Sequence, residues 1–283
     1  MKWLKRLLYL IAFALLALLG TSVFGVYLYR GTPNWYRPRV ATTQQTKDAA
    51  NSADQKLLDL FSWAASAQAQ QIRHIHGKAK PGEPSIGPRT VTFNEDEINS
   101  FFSTWHNPEK SALQQRISRY FTDGRVAFED DAIILAGRSP EFGTLASAEF
   151  DPSLDAQGDL HLDFSALRAG RLPIPMSTVA NHLRRLRGLL QQQLFLEQSS
   201  AKIDTALTAN GPALAAAWLR LLLNALNDRP SPPILVIPFD MSNLRRGLPV
   251  KLTAIKVVEG EITLTLEPLD APEDPQKLIE LRD

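Results

Sequence analysis

The stretch DLHLDFSAL, residues 159–167, decides how this chain folds. Its first six residues alternate between polar and apolar side chains, and successive side chains of a β-strand point to opposite faces of a sheet. The apolar members of the alternation are Leu160, Leu162 and Phe164. The pattern predicts a strand of an antiparallel sheet that has one face buried in a core.

Similar signals surround this stretch on both sides. Short apolar runs are separated by turn residues such as the EDD between residues 128 and 132 and the Glu259-Gly260 pair, which is typical of hairpins. The predicted strands are residues 90–93, 125–128, 132–135, 142–150, 159–167, 234–237, 250–258 and 261–267. They predict an antiparallel sheet of six to eight strands.

Helical signals lie outside these strands. Asn94 followed by Glu97 has the spacing of a capping box and predicts a helix start. The other predicted helices are residues 44–75, 109–118, 176–196, 200–209 and 212–227. The helix at 176–196 carries one apolar stripe, formed by Val179, Leu183, Leu186 and Leu190. Strands and helices in this order predict the α+β class.

The N-terminal segment predicts a membrane anchor. Residues 7–28, LLYLIAFALLALLGTSVFGVYL, contain no charge, and a helix of this length spans ~33 Å, about the thickness of a bilayer core. Basic residues flank the run on both sides, and Tyr27, Tyr29, Trp35 and Tyr36 are typical of an interfacial aromatic belt. A cleaved signal peptide is the alternative, with a cleavage site near Gly20, but its apolar core is normally shorter.

The anchor sets the expected location and the domain organisation. The prediction is a single-pass membrane protein whose short N-terminus is cytoplasmic and whose body is extracytoplasmic, in a periplasm or outside the cell. The predicted parts are a transmembrane anchor (1–30), a juxtamembrane linker and helical spacer (31–88), an α+β domain (89–269) and an acidic tail (270–283).

Composition and motifs argue against several functions. Six of the 31 basic residues precede residue 40 and all 30 acidic residues follow it, so the remaining body has a net charge of −5, which argues against a nucleic-acid partner. The chain has no cysteine, which excludes thiolate catalysis and Cys-ligated zinc. The motifs G-x-S-x-G, G-x-G-x-x-G and the P-loop are absent from the sequence. We therefore predict no catalytic residue, no metal and no cofactor.

Two polar groups have ordinary explanations. Glu95, Asp96 and Glu97 occupy the first turn of a helix, where acidic residues oppose the positive end of the helix dipole. His74 and His76 are two positions apart at a helical end, a spacing that does not place them on one helix face. Neither group predicts a catalytic or metal site.

Five arginines occur close together in an otherwise acidic body: Arg168, Arg171, Arg184, Arg185 and Arg187. They fit a solvated helix face whose side-chain stems pack on apolar neighbours. They also fit a patch that contacts anionic lipid head groups, at about 1 kcal/mol per charge. A protein partner is the third interpretation.

Three short motifs carry a family resemblance: VTFNEDEIN at 91–99, GRLPIP at 170–175 and VKLTAIKVVEGEITLTL at 250–266. Their order resembles the YpmS-type extracytoplasmic proteins that have one N-terminal anchor. More loosely, it looks like one half of a tubular lipid-binding (TULIP) domain. That resemblance implies a curved antiparallel sheet wrapped round a helix, an apolar groove and a role that is not enzymatic.

The function that follows is binding of a lipid or another apolar ligand in a groove between the sheet and the helix at 176–196. The predicted lining residues are Leu160, Leu162, Phe164, Val179, Leu183, Leu186 and Leu190. The alternative is a structural or assembly protein of the cell envelope, which docks a protein partner through helices 44–75 and 212–227. A solid core at the lining positions favours the alternative. The predicted partners are membrane lipid and an envelope protein, and no nucleic acid.

Overall fold

The computed structural model describes residues 27–33, 35–36, 43–75, 85–105, 122–140, 143–175, 209–238 and 246–269, together with separate positions between 184 and 199. Its helices are α1 (Thr43–Ile75), α2 (Glu95–Trp105) and α3 (Gly211–Leu226). Its strands are β1 (Arg89–Asn94), β2 (Thr122–Glu129), β3 (Ala132–Ser139), β4 (Thr144–Leu154), β5 (Leu160–Ala169), β6 (Leu172–Pro173), β7 (Ala209–Asn210), β8 (Ile234–Pro238), β9 (Arg246–Val258) and β10 (Glu261–Pro268).

The strands form two antiparallel sheets. In sheet I, β1 pairs with β10, β10 with β9, and β7 and β8 both pair with β9. In sheet II, strands β2 to β6 follow one another as a meander. The predicted hairpins are confirmed, since Glu129 pairs with Ala132 and Val258 pairs with Glu261. The α+β class is therefore correct, but two five-stranded sheets replace the expected single sheet.

Helix α1 and both sheets share one core. The most deeply buried members of this core are Val250, with 0% of its surface exposed, and Leu252, with 1%. The buried members of this core are Leu60, Ala64, Phe93, Val126, Phe128, Leu160, Ile237, Leu248, Val250, Leu252, Val257, Ile262 and Leu266. Helix α1 thus covers sheet I with an apolar stripe, as the spacing over 44–75 predicts. The domain boundaries predicted at 30, 88 and 269 stay predictions.

Several predictions fall outside the described residues. The uncharged run at 7–28 overlaps them only at its last two positions, and the acidic tail and the helix at 109–118 lie outside them. The helix predicted at 200–209 also lies outside them except for Ala209, which is in strand β7 rather than in a helix. Of the helix predicted at 176–196, the described positions from 184 onward are helical. Within the described part of the chain, no helix has both the length and the apolar character to cross a membrane.

Candidate functional site

The sheet side of the predicted groove is part of the core. Leu160 is 3% exposed and belongs to the shared core, and Leu162 is half-buried against it. Phe164 is half-buried, and its ring lies 5.4 Å from the ring of Phe150 on the neighbouring strand. Leu160 also exchanges two backbone hydrogen bonds with Ser231, at 2.7 and 2.8 Å, which ties β5 to the segment that leads into β8.

The helix side of the predicted groove is described only at Leu190, which is helical and half-buried. The remaining lining residues, Val179, Leu183 and Leu186, lie outside the described residues. The ligand-binding role of all seven residues therefore stays a prediction. The packing of Leu160 and Leu162 fits the solid-core alternative at the sheet side.

The five arginines have different surroundings. Arg168 is exposed and donates to the Glu149 carboxylate at 3.0 Å. Arg184 is exposed, and Arg185 lies outside the described residues. Arg187 is half-buried and donates to the backbone carbonyl of Leu226, the last residue of α3. A cation at that position is favourable, because the C-terminal end of a helix carries partial negative charge.

Arg171 and Arg187 lie at opposite ends of β5. Arg171 follows the end of this strand, whereas Arg187 contacts α3 close to Asn224, whose side chain bonds to Ser231 beside Leu160. The nine residue steps along β5 correspond to ~30 Å. The membrane-surface role of the five arginines stays a prediction, and these two do not share one patch.

The best-defined site is formed by residues 27–33 with Trp35 and Tyr36, which we call the docked segment. It begins with the last two residues of the uncharged run and packs against sheet II. The amide of Arg171 donates to the carbonyl of Leu28 at 2.8 Å, and the hydroxyl of Thr144 donates to the carbonyl of Tyr29 at 2.6 Å. The Arg171 side chain adds a bond from Nε to the carbonyl of Thr32 at 2.7 Å.

Gly170 makes this close approach possible. Its φ of +61° is in the left-handed region, which favours glycine. A Cβ at this position would lie 2.3 Å from the carbonyl oxygen of Tyr29, 2.7 Å from that of Leu28 and 2.8 Å from that of Gly31. Both the backbone conformation and the contact with the docked segment therefore require glycine.

Tyr36 holds the other end of the docked segment. It is 7% exposed and forms a small apolar cluster with Ala136 and Leu145 of sheet II. The Arg125 guanidinium lies 5.2 Å from the centre of its ring, a cation–π distance. Trp35 packs edge-on against the same ring, with centroids 6.1 Å apart. Tyr36, expected in an aromatic belt, thus packs on the folded body.

A second polar site lies where α1, β1 and α2 meet. Glu97 is 2% exposed and accepts hydrogen bonds from Ser52 at 2.5 Å, from Lys56 at 2.8 Å and from the backbone amide of Asn94 at 2.9 Å. The Asn94 side chain accepts from the amide of Glu97, which completes the predicted capping box. Lys56 also donates to the carbonyl of Thr92 at 2.8 Å.

The charge of Glu97 is stabilised by these partners. Burial alone would raise the pKa of this carboxyl, but hydrogen bonds from Lys56, Ser52 and Asn94, with the positive charge of Lys56, hold the pKa below its usual value. An ionised carboxylate whose two oxygens are both engaged is a poor general acid. The geometry fits a structural tie between α1 and sheet I.

Two other side chains of α2, those of Glu95 and Asn99, bond to the outer edge of β2. The side chain of Asn99 donates to the carbonyl of Val126 at 2.8 Å and accepts from its amide at 2.7 Å. The Glu95 carboxylate accepts from the amide of Phe128 at 2.7 Å, and the Phe128 carbonyl accepts from Gly260 at 3.0 Å. Side chains of α2 thus occupy the backbone groups that a further strand would use. Among the described residues, no strand other than β3 pairs with β2.

The described residues contain no group of three or more His, Asp or Glu side chains placed to hold a metal ion. His74 is exposed near the end of α1, and His76 lies outside the described residues. His161 lies 3.3 Å from Asp155 in the turn between β4 and β5. Hydrogen bonds from the Asp159 amide, His161 and the Gln157 amide lower the pKa of the Asp155 carboxyl.

Comparisons with known proteins found no relative. No protein-family model, no curated protein and no solved structure matches this chain. The resemblance to YpmS-type proteins and to TULIP domains therefore stays a prediction.

Sequence reasoning missed the docked segment and the roles of Glu95 and Asn99. The bonds of Asn99 and of the docked segment join residues separated by 27 and by more than 100 positions. Local periodicity carries no information about such contacts. The sequence signals that could have indicated these contacts were Gly170 for the docked segment, and Glu95 and Asn99 on one short helix for the edge of β2.

Proposed function

We propose that this protein is a single-pass, membrane-anchored scaffold of the cell envelope that is not an enzyme. Its body is held in one orientation against the bilayer so that it can dock a protein partner. The observation that carries the proposal is the hydrogen bond from the Arg171 amide to the carbonyl of Leu28. Leu28 is the last residue of the uncharged run. The end of the proposed anchor is therefore attached to the body without a flexible linker between them.

A fixed orientation is useful to a scaffold, because it presents the same surface at the same height above the membrane. Hydrogen bonds from the Arg171 amide, the Arg171 side chain and the Thr144 hydroxyl join the docked segment to sheet II, together with one buried aromatic contact. A freely rotating domain on a flexible linker needs none of these contacts. Rigid attachment avoids the entropy that a mobile linker loses when a partner binds.

The packing at the predicted groove also supports a scaffold over a lipid carrier. Leu160 and Leu162 contact the core shared with α1 and sheet I, so the apolar surface of Leu160 and part of that of Leu162 are already buried by protein. The polar site around Glu97, which we call the polar junction, also supports a scaffold. Its hydrogen bonds join α1 to β1 and α2 and so stabilise the fold. The proposed location is that of the sequence prediction, with the body outside the cytoplasm.

Lipid uptake is the test that separates the two functions. The full chain is purified in detergent and examined by native mass spectrometry, and binding of a fluorescent fatty acid is measured in parallel. A scaffold takes up no fatty acid in the predicted groove and retains no lipid that depends on the groove residues. One lipid per chain, lost in Leu162→Trp with an unchanged melting temperature, would overturn the proposal. The matched control is Leu58→Trp, since Leu58 on α1 is 47% exposed.

Partner docking is tested by photo-crosslinking in intact cells. A crosslinking amino acid is placed at Leu58, on the exposed face of α1, and at Gln157 in the exposed turn between β4 and β5. We expect a discrete adduct from Leu58, lost when the residues before 27 are replaced by a cleavable signal peptide. Adducts that survive this replacement unchanged would contradict a role that depends on the anchor.

A further inference from the structure

The end of sheet II that carries the docked segment presents three exposed arginines, which we call the basic rim: Arg30, Arg138 and Arg171. Arg30 is in the helical turn of the docked segment. Arg138 pairs with Leu145 in the sheet, and the carbonyl of Leu145 accepts from the amide of Gly170 at 2.6 Å. The three residues therefore come from three separated parts of the chain to one end of one sheet.

The basic rim lies where the uncharged run ends. Arg30 follows Leu28 by two residues, and the Arg171 amide bonds directly to the Leu28 carbonyl. If residues 7–28 span the bilayer, these two arginines are at the level of the lipid head groups. The turn between β4 and β5 is at the other end of the sheet, ten residue steps or ~33 Å along β4.

The charge at this end is positive, although the body as a whole is acidic. Asp123, at the start of β2, is an exposed acidic residue at the same end of the sheet, since Thr122 beside it pairs with Arg138. Arg168 is excluded from the rim because its guanidinium is already bonded to Glu149. Among the described residues at this end, three exposed arginines lie beside one exposed carboxylate, which leaves an excess of positive charge. Glu141, between β3 and β4, lies outside the described residues.

We propose that the basic rim binds the head groups of anionic membrane lipids and so fixes the tilt of the body on the membrane. This inference rests on the proposed anchoring of residues 7–28. Guanidinium groups form paired hydrogen bonds with phosphate oxygens, which suits arginine to phosphate head groups. An arginine at an anionic surface contributes about a fivefold preference for anionic lipid.

The first arm of the test measures which end faces the bilayer. The native chain has no cysteine, so single cysteines can be labelled cleanly. Gly124→Cys lies at the rim end, where an added Cβ meets no atom within 4 Å, and Gln157→Cys lies in the distal turn. Nitroxide labels are placed on the full chain in nanodiscs that carry a nickel-chelating lipid. We expect the nickel at the membrane surface to enhance the spin relaxation of the label at position 124 strongly and that of the label at position 157 only a little. Equal relaxation at both sites would overturn the proposed anchoring and orientation.

The second arm measures lipid preference. The full chain is reconstituted in nanodiscs of phosphatidylcholine with phosphatidylglycerol, and retained lipids are counted by native mass spectrometry. The double variant Arg30→Gln/Arg138→Gln removes two rim charges and leaves the bonds of Arg171 intact. We expect its preference for phosphatidylglycerol to fall by about 25-fold. Arg229→Gln is the matched control, since this exposed arginine is close to Ser231 at the distal end of β5, and it should behave as wild type.

The two arms fail separately. An unchanged preference in the double variant, together with relaxation confined to the label at 124, overturns head-group binding and leaves the anchoring intact. A fall of the same size in Arg229→Gln would also overturn the proposal, because it would show a general effect of net charge. Repeating the measurement in 0.5 M salt should reduce the preference of the wild type, since exposed charges are screened.

Discussion

Replacing Gly170 with alanine should release the docked segment from the body. The added Cβ would lie 2.3 Å from the Tyr29 carbonyl oxygen, about 1 Å closer than an ordinary contact. Three backbone oxygens of the docked segment surround that position, so no flexible side chain can move aside. The segment itself must shift, and the bonds to Leu28 and Tyr29 must lengthen or break.

Gly143→Ala is a closely matched control. Gly143 has a φ of +62°, almost the same as the +61° of Gly170, but a Cβ there meets nothing within 4 Å. Both variants carry the strain of alanine in the left-handed region, about 1–2 kcal/mol. Gly170→Ala additionally loses two hydrogen bonds, which contribute ~0.5–1.5 kcal/mol each. The difference between the variants is therefore ~2 kcal/mol, which is roughly a 30-fold change in the undocked population.

Limited digestion with trypsin measures this population. Cleavage after Arg30 requires the docked segment to leave the body, and the rate of cleavage follows the open population when opening is fast. Mass spectrometry of the full chain in detergent detects the fragment that begins at Gly31. We expect it to appear roughly 30-fold faster in Gly170→Ala than in Gly143→Ala. Equal rates in the two variants would refute the docking geometry.

Three further predictions concern the core and the polar junction. Glu97 has a folded-state pKa below its ordinary value of 4.5. Its ionised form therefore stabilises the fold above pH 4.5, and this contribution is lost as the pH falls through the folded-state pKa. Glu97→Gln should therefore lower the free energy of unfolding in urea by ~1–3 kcal/mol at pH 7 and by less at pH 3, and a loss independent of pH would contradict this account. Leu160→Ala should cost ~2–5 kcal/mol in the same assay, while Leu58→Ala stays within about 0.5 kcal/mol, and a small cost at Leu160 would indicate an open groove. A fragment of residues 89–283 lacks α1 and should fail to melt cooperatively by circular dichroism, whereas residues 43–283 should melt cooperatively; cooperative melting of the shorter fragment would show that α1 is a spacer.

The elements of the fold were largely predictable because their signals are local. The alternation at 159–167 predicts β5, and the spacing of apolar residues over 44–75 predicts α1. The capping box at Asn94 predicts the start of α2, and its two bonds are present at 2.9 Å each. Each of these signals depends on residues that are close in sequence, and a period or a cap is read without knowledge of the partner.

The division into two sheets was not predictable in the same way. Period-2 patterns identify strands but carry no information on which strands pair. The edge of β2 is closed by the side chains of Glu95 and Asn99, which lie about 30 positions earlier in the chain. Acidic and amide residues in the first turns of a helix have an adequate local explanation as dipole and capping residues. That local explanation hides their second role at the strand edge.

The candidate site was hidden for a related reason. Gly170 begins the motif GRLPIP, and a glycine at the end of a strand is explained sufficiently by the turn that follows. The structure gives this glycine two tasks, the left-handed turn and the passage of a second backbone within van der Waals contact. The partner of that contact is the end of a segment that the sequence assigns to the membrane. Under the proposed anchoring, bilayer and body would act on the same short stretch, the docked segment. A change in the tilt of the anchor would then be transmitted to sheet II through the carbonyls of Leu28 and Tyr29, because the hydrogen bonds of the body are made to these two groups at the end of the uncharged run.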